Sequence, residues 1–322
     1  MRRIRWFHIL TIIILALLLV PLSPVYPARL CRSEEKTTTV ALTFDDGSSD
    51  WVSNAMPILA SYNLTATAFL LDPDHLQDFT WEDARELYNA GWEIGWHTVL
   101  HTDLSMADSE TITSELSPAK TLFQSHGLPA PETFAYPYGG HDNKSMAIVS
   151  QYFAAARTVH QGVNTPCDVL DNAYHLKTIT VKSLIGNDVP FLEATLKKYR
   201  HKGVFIVPFI HTVGEPASWQ EKPDITVEEF ADLAKLLYEE EKAGNIDVVT
   251  FREGVSRFEQ RESSRSWGLE WDSPFDKFYY ISVIPVPARY YDFYMEAIIR
   301  NFLGHRFPEV ERWVERIDVF RN

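Results

Sequence analysis

Two adjacent carboxylates and three histidines are the side chains of this sequence best suited to chemistry. Asp45 and Asp46 close the apolar run Val40–Phe44 in VALTFDDGSSD. Like charges side by side at the end of a buried strand repel, and burial makes both costly unless a cation, a proton or water offsets them. Two arrangements satisfy that: a polar turn with both groups in water, or a site where one carboxylate holds a metal and the other handles a proton. His97 and His101, in GWHTVLH, stand four residues apart, a spacing that can put two imidazoles on one side of a turn around a metal ion. His211 follows the apolar run Val204–Phe209, and Tyr136-Pro137-Tyr138-Gly139-Gly140 follows Thr133–Tyr136 as a turn rich in backbone N–H groups.

These groups can meet only if the intervening chain brings four strand ends together. From Thr38 onward, short apolar runs alternate with amphipathic segments. Strands are expected at Val40–Phe44, Ala66–Leu71, Trp92–Trp96, Thr133–Tyr136, Ala154–Thr158, Leu176–Val181, Val204–Phe209 and Asp247–Phe251. Helices are expected at Asp50–Tyr62, from Thr80 to Gly91, at Ser109–His126, Asn143–Tyr152 and Phe191–Tyr199, and from Thr226 through Glu241. Thr226-Val227-Glu228-Glu229 has the form of a capping box. Such alternation predicts an α/β fold, a parallel sheet with crossover helices closed or nearly closed into a (β/α) barrel. Chemistry in such barrels sits at the C-terminal strand ends, where all five side chains fall.

The blocks TFDDG, HTVLH, YPYG and FIH, in this order, resemble the NodB-type polysaccharide deacetylases, carbohydrate esterase family 4. The resemblance runs from about Thr38 to Val255 and includes the closing TVEEFADLAKLLYEE and IDVVTFREGV. It implies a distorted (β/α) barrel that hydrolyses N- or O-acetyl groups of sugars with one divalent metal, commonly zinc (Zn2+). It also implies roles: Asp46, His97 and His101 as metal ligands, Asp45 as general base, His211 as general acid, and the Tyr138 backbone N–H as oxyanion donor. Two departures stand out. The family's third motif often opens with an arginine that pairs with the base, and Ala135 occupies that position, as in the FAYPYG of exopolysaccharide deacetylases acting on poly-N-acetylglucosamine. The fourth motif, an Asp followed by Asp-Trp, is absent; Asp168 and Asp171 lie in its neighbourhood without a tryptophan and read as loop carboxylates. Neither Asp45 nor His211 is thereby given a partner. An N-deacetylase of an N-acetylglucosamine glycan is the leading reading, with a glycan O-acetyl esterase or a catalytically weak carbohydrate-binding relative as alternatives.

The formal net charge of −14 over 322 residues, with no basic cluster, argues against nucleic acid as a partner. The two cysteines, Cys31 and Cys167, can pair in an oxidising compartment or stay as thiols. Arginines at 2, 3 and 5 precede the aliphatic stretch Ile9–Val20, the pattern of a signal peptide or an uncleaved membrane anchor over residues 1–30, which would put the rest outside the cytoplasm, anchored or secreted. Residues 38–257 are expected to form the deacetylase domain and 258–322 an accessory subdomain; nothing in the sequence fixes the oligomeric state. His75, His126, His141, His160, His175, His201 and His305 read as surface or helix-end histidines, Asp50 as a helix N-cap, and Trp51, Trp92 and Trp96 as core. Trp219, in the loop after His211, is the best placed tryptophan to stack on a sugar.

Overall fold

The computed structural model describes residues 37–182, 189–215 and 222–264, the side chains of 261–264 excepted. Residues 1–36 and 265–322 lie outside the described residues, and with them the N-terminal hydrophobic stretch, Cys31, His305 and most of the expected accessory subdomain. Trp219 lies outside them as well. Among the described residues no helix is long and apolar enough to cross a membrane.

Seven parallel strands close into a barrel: β2 (Thr43–Asp46), β3 (Thr67–Leu70), β4 (Glu93–Trp96), β5 (Thr133–Ala135), β6 (Ala155–Gln161), β7 (Leu176–Thr180) and β9 (Pro208–Ile210). They are short and almost wholly buried, as strands covered on both faces must be. Two of the expected strands are each split in two. The run from Thr38 begins as β1 (Thr38–Val40) in a separate three-stranded sheet, between β8 (Phe205–Ile206) and β10 (Ile246–Val248), and only then enters the barrel as β2. The run from Val204 makes the same change, from β8 to β9. Apolar periodicity cannot register this, because both sheets bury their strands completely. The last expected strand, Asp247–Phe251, is accordingly part of the small sheet rather than a barrel stave, and Phe251 opens a helix that runs to Ser264.

The expected helices form with adjusted ends. Thr80 with Asp83 and Thr226 with Glu229 build the capping boxes that start α2 (Trp81–Asn89) and α8 (Val227–Lys242). The single helix expected over Ser109–His126 is two, α3 (Ser109–Leu116) and α4 (Ala119–Ser125), because Pro118 cannot donate to the i−4 carbonyl. The segment after Asp50 starts as one π-helical turn, Trp51–Ala55, before α1 (Met56–Ser61). A short helix, α6 (Pro166–Asp171), arises where none was expected; its Thr165–Asp168 capping box is legible in TPCD.

Candidate active site

The strand ends converge as the alternation predicts. Asp45, Asp46, His97, His101, Tyr138 and His211 all line one cleft of about 1030 Å³. Within it, Asp46, His97 and His101 form a compact donor set. The Asp46 Oδ1 lies 3.2 Å from His97 Nε2 and 3.4 Å from His101 Nε2. His97 is buried, and its Nδ1–H donates to the Ala135 carbonyl at 2.8 Å. That bond fixes the tautomer, so the Nε2 facing Asp46 carries a lone pair. A lone pair turned toward a carboxylate oxygen repels it, and Asp46 Oδ1 has no hydrogen-bond donor although it is buried. A divalent cation between these three atoms removes the conflict, and an Asp with two His suits zinc. The chain therefore fits a metal here. Burial works to raise the Asp46 carboxyl, but the proximity of His97, with His211 and His101, outweighs it and holds the group at about 2. Burial and the nearby His97 push His101 below the ordinary histidine value.

Backbone conformation places the ligands. Asp46, Thr98 and His101 all have positive φ (82°, 80° and 59°), so the chain turns sharply right after β2 and within HTVLH. The second turn is tied down by a buried carboxylate from α3. Glu115 accepts the N–H groups of Val99 (2.8 Å) and Leu100 (3.0 Å) with Oε2 and the Thr102 hydroxyl (2.5 Å) with Oε1. Glu115→Ala would free all three donors and loosen the loop carrying His101. Metal affinity should fall about 10- to 100-fold, read as the zinc concentration needed to refill the chelated protein; unchanged affinity would mean the loop holds its shape without this clamp.

Asp45, the other carboxylate, takes no part in that set. It is buried, and its Oδ1 accepts from Arg157 Nη2 across the barrel. Arg157 is itself fully buried on β6, its guanidinium between the rings of Phe69 (4.9 Å) and Phe209 (5.0 Å). This is the partner that sequence reasoning lacked. Arg157 pairs in register with Ala135, so the arginine sits one strand over at the same height as the missing one. Its signal was there to read: a charged residue in the middle of the apolar run AAARTV.

His211 also has a partner outside the expected motif. Its Nδ1 and its backbone N–H both donate to Asp224 Oδ2, each at 2.8 Å. Asp224 is buried, and Lys182 Nζ meets its other oxygen at 2.8 Å. Burial disfavours the His211 cation, yet the Asp224 hydrogen bond and the charges of Asp46, Asp45 and Asp224 prevail, and its pKa is raised. The same pairing lowers Asp224 against the pull of burial. Asp168 and Asp171 are indeed remote from this chemistry. Asp168 caps α6 and pairs with Lys177 at 2.9 Å, and Asp171 ends that helix exposed. Asp50 departs from expectation: it stands at a helix start, but its side chain caps nothing there. Its Oδ2 accepts the Val213 N–H at 2.5 Å, pinning the loop behind His211, and burial raises its carboxyl to about 6. Trp51 is core, as expected, and its Nε1–H holds the His211 carbonyl at 2.7 Å.

Tyr138 sits in the left-handed region (φ 56°) within the turn Pro137–Gly139, its ring exposed and 4.4 Å from that of His101. The turn closes on β6 so tightly that a Cβ on Gly139 (φ 70°) would stand 2.5 Å from Val159 Cγ2. Its backbone is thus fixed by packing at the rim of the cleft.

Comparison with known proteins finds similarity over part of the chain. The family model described as polysaccharide deacetylase matches residues 32–154. Over that segment the chain is similar to the polysaccharide deacetylases. The match takes in Asp45, Asp46, His97, His101 and Tyr138 and ends just before Arg157. A chitin deacetylase of Pestalotiopsis sp is 34% identical over 102 residues, 31% of this chain and 34% of that protein. A poly-beta-1,6-N-acetyl-D-glucosamine N-deacetylase of Staphylococcus aureus (strain MSSA476) is 26% identical over 129 residues, 35% of this chain and 44% of its own. The chain spans less than half the length of the curated relatives it matches. Among solved structures, a T48 deacetylase with substrate is similar over 69% of this chain and 92% of that one, at 19% identity and a TM-score of 0.47.

Proposed function

We propose that the chain is a metal-dependent deacetylase that hydrolyses the N-acetyl groups of an N-acetylglucosamine glycan. One observation carries the reading: the two neighbouring aspartates have different surroundings, Asp46 in a His-rich donor set and Asp45 on a buried arginine, with a carboxylate-paired histidine in the same cleft. Asp46, His97 and His101 would hold the ion, zinc by preference. When bound, it supplies Lewis acidity at the acetyl carbonyl and lowers the pKa of water.

The remaining steps belong to the chain's own groups. Asp45, oriented by Arg157, takes a proton from the attacking water as the water oxygen bonds to the acetyl carbon. The Tyr138 N–H donates to the carbonyl oxygen as it gains charge. His211, its Nδ1–H held by Asp224, gives the Nε2 proton to the departing nitrogen, so the C–N bond breaks to yield acetate and a free amine. An amine leaves poorly without that proton, and the Asp224 contact that raises the His211 pKa favours the protonated, donating form. An ester, with its better leaving group, would tolerate a poorly tuned acid; the contact of His211 with Asp224 supports the amide reading instead. The rim offers the exposed Tyr138 ring as a surface for a sugar.

Asp224→Asn tests the acid. The raised His211 pKa would fall, so the alkaline limb of the kcat/KM profile should move to lower pH while the acid limb stays. An unmoved alkaline limb would remove His211 from the proton-donating role.

The FAYPYG form of the third motif favours a β-1,6-linked glycan, with the Staphylococcus aureus relative on that side and the chitin deacetylase of Pestalotiopsis sp on the other. Acetate released from β-1,6-linked and β-1,4-linked N-acetylglucosamine oligomers, set beside an O-acetylated xylan, tests this. Faster release from the β-1,6 series is expected; release from the ester alone would replace amide with ester as the substrate. We take residues 1–30 to export the chain and to retain it at the membrane or be cleaved, residues 38–257 as the deacetylase domain and 258–322 as an accessory segment, all on sequence pattern.

A further inference from the structure

Three histidines that carry no mutual pattern in the sequence come together outside the cleft just described. His141 follows the Pro137–Gly139 turn, His160 lies near the end of β6, and His175 immediately precedes β7. Each offers one ring nitrogen, and these nitrogens all lie within 4.8 Å of one another. Imidazoles around one tetrahedral zinc stand roughly 3.4 Å apart, given Zn–N bonds of about 2.0–2.1 Å, so modest ring rotations would close the set. The rings pack at centroid distances of 4.6, 5.1 and 5.4 Å.

The protons are already arranged for ligation. His141 Nδ1 lies 2.7 Å from the Gly139 carbonyl, which can only accept, so that nitrogen carries the hydrogen and Nε2 keeps its lone pair. A carbonyl that orients a ligating imidazole in this way is the usual outer partner of a metal-bound histidine. His160 Nδ1 and His175 Nε2 stand 3.0 Å apart, a contact that one proton satisfies and that a cation would replace. None of the three serves the Asp46 set, and they sit on three separate segments. His160 is exposed and the other two are half-buried, so an ion can enter from solvent and keep a water or an anion in its fourth position.

We propose that His141, His160 and His175 form a second metal site, one that takes a divalent late transition ion of the zinc or copper class through three imidazoles. Hard oxygen-seeking ions such as magnesium or calcium would not compete for an all-nitrogen set. Occupation would tie the Pro137–Gly139 turn to β6 and β7, giving the ion a structural place beside the catalytic cleft.

The test counts zinc on the full-length chain after equilibrium dialysis, by elemental analysis, in the wild type, in His160→Ala/His175→Ala and in His97→Ala. Two equivalents are expected in the wild type and one in each variant. The doubly substituted protein should keep its deacetylase activity but lose zinc-dependent protection against thermal unfolding. An identical zinc count in the wild type and the His160→Ala/His175→Ala protein would overturn the proposal. Copper(II) added to His97→Ala gives an independent reading that does not rest on the doubly substituted protein folding. Electron paramagnetic resonance should show hyperfine coupling to three nitrogens, and a spectrum without it would also overturn the site. A wild-type count of one that vanishes only in His160→Ala/His175→Ala would uphold this site and remove the metal from the cleft, whereas one that vanishes only in His97→Ala would do the reverse.

Discussion

Asp45→Asn should leave zinc bound at the Asp46, His97 and His101 set while lowering acetate release roughly 10²- to 10⁴-fold, the usual worth of a general base. The amide has nearly the shape of the carboxylate and can still accept from Arg157 with its oxygen, but it cannot take a proton from water. Because Asp45 does not join the donor set, the metal has no reason to leave. His97→Ala is the counterpart: it removes a ligand and should cost both metal at the cleft and activity. Zinc content and rate, measured on the two variants together, separate the roles. An active Asp45→Asn protein would mean that the two aspartates do not divide the work as their surroundings suggest.

The second large effect is expected at Arg157. Arg157→Met keeps the volume but leaves the buried Asp45 without its partner, and losing one partner of a buried pair typically costs about 3–5 kcal/mol. For a domain of this size each kcal/mol lowers the unfolding temperature by roughly 2–4 °C, so a fall on the order of 10 °C is expected. Activity should fall with it even well below the transition, because Asp45 loses the partner that orients it in the cleft. Arg157→Lys should not rescue either property. A compact ammonium cannot lie flat between the Phe69 and Phe209 rings as a guanidinium does. The sharper control is positional: Ala135 and Arg157 are register partners on adjacent strands, so Ala135→Arg combined with Arg157→Ala should recover part of the lost rate. Thermal unfolding of Arg157→Met that matches the wild type would show that the pair carries no such weight.

Much of this site was legible before any coordinates, for a definite reason. Asp45, Asp46, His97, His101 and Tyr138 lie within short motifs at strand ends, and it is the resemblance of these motifs, in this order, to the NodB-type deacetylases that groups them and implies their roles. Arg157 and Asp224 escaped because their roles depend on closure of the barrel. Arg157 reaches Asp45 across 112 residues, and its relation to Ala135 exists only once β5 and β6 are in register. Asp224 stands next to a helix start in KPDITVEE, where a carboxylate reads as one more cap. The three peripheral histidines were hidden in the same way, each unremarkable on its own segment. In the fold, alternation was read correctly as a parallel barrel, but the split of two strands between sheets was not, since Ala41, Leu42 and Val207 are as apolar and buried as the strands they join. The capping boxes, by contrast, formed where they were read, because such caps are set by four consecutive residues.

The central claim is that the Asp45 and Asp46 cleft deacetylates N-acetylglucosamine with a metal held by Asp46, His97 and His101. The most direct measurement is acetate release from β-1,6-linked N-acetylglucosamine oligomers by the full-length chain as purified, after exhaustive chelation, and after zinc is returned. Release that stops on chelation and returns with about one equivalent of zinc at the cleft is the predicted result. Undiminished release from protein shown to be free of metal, or no release from protein with zinc bound to His97, would contradict it.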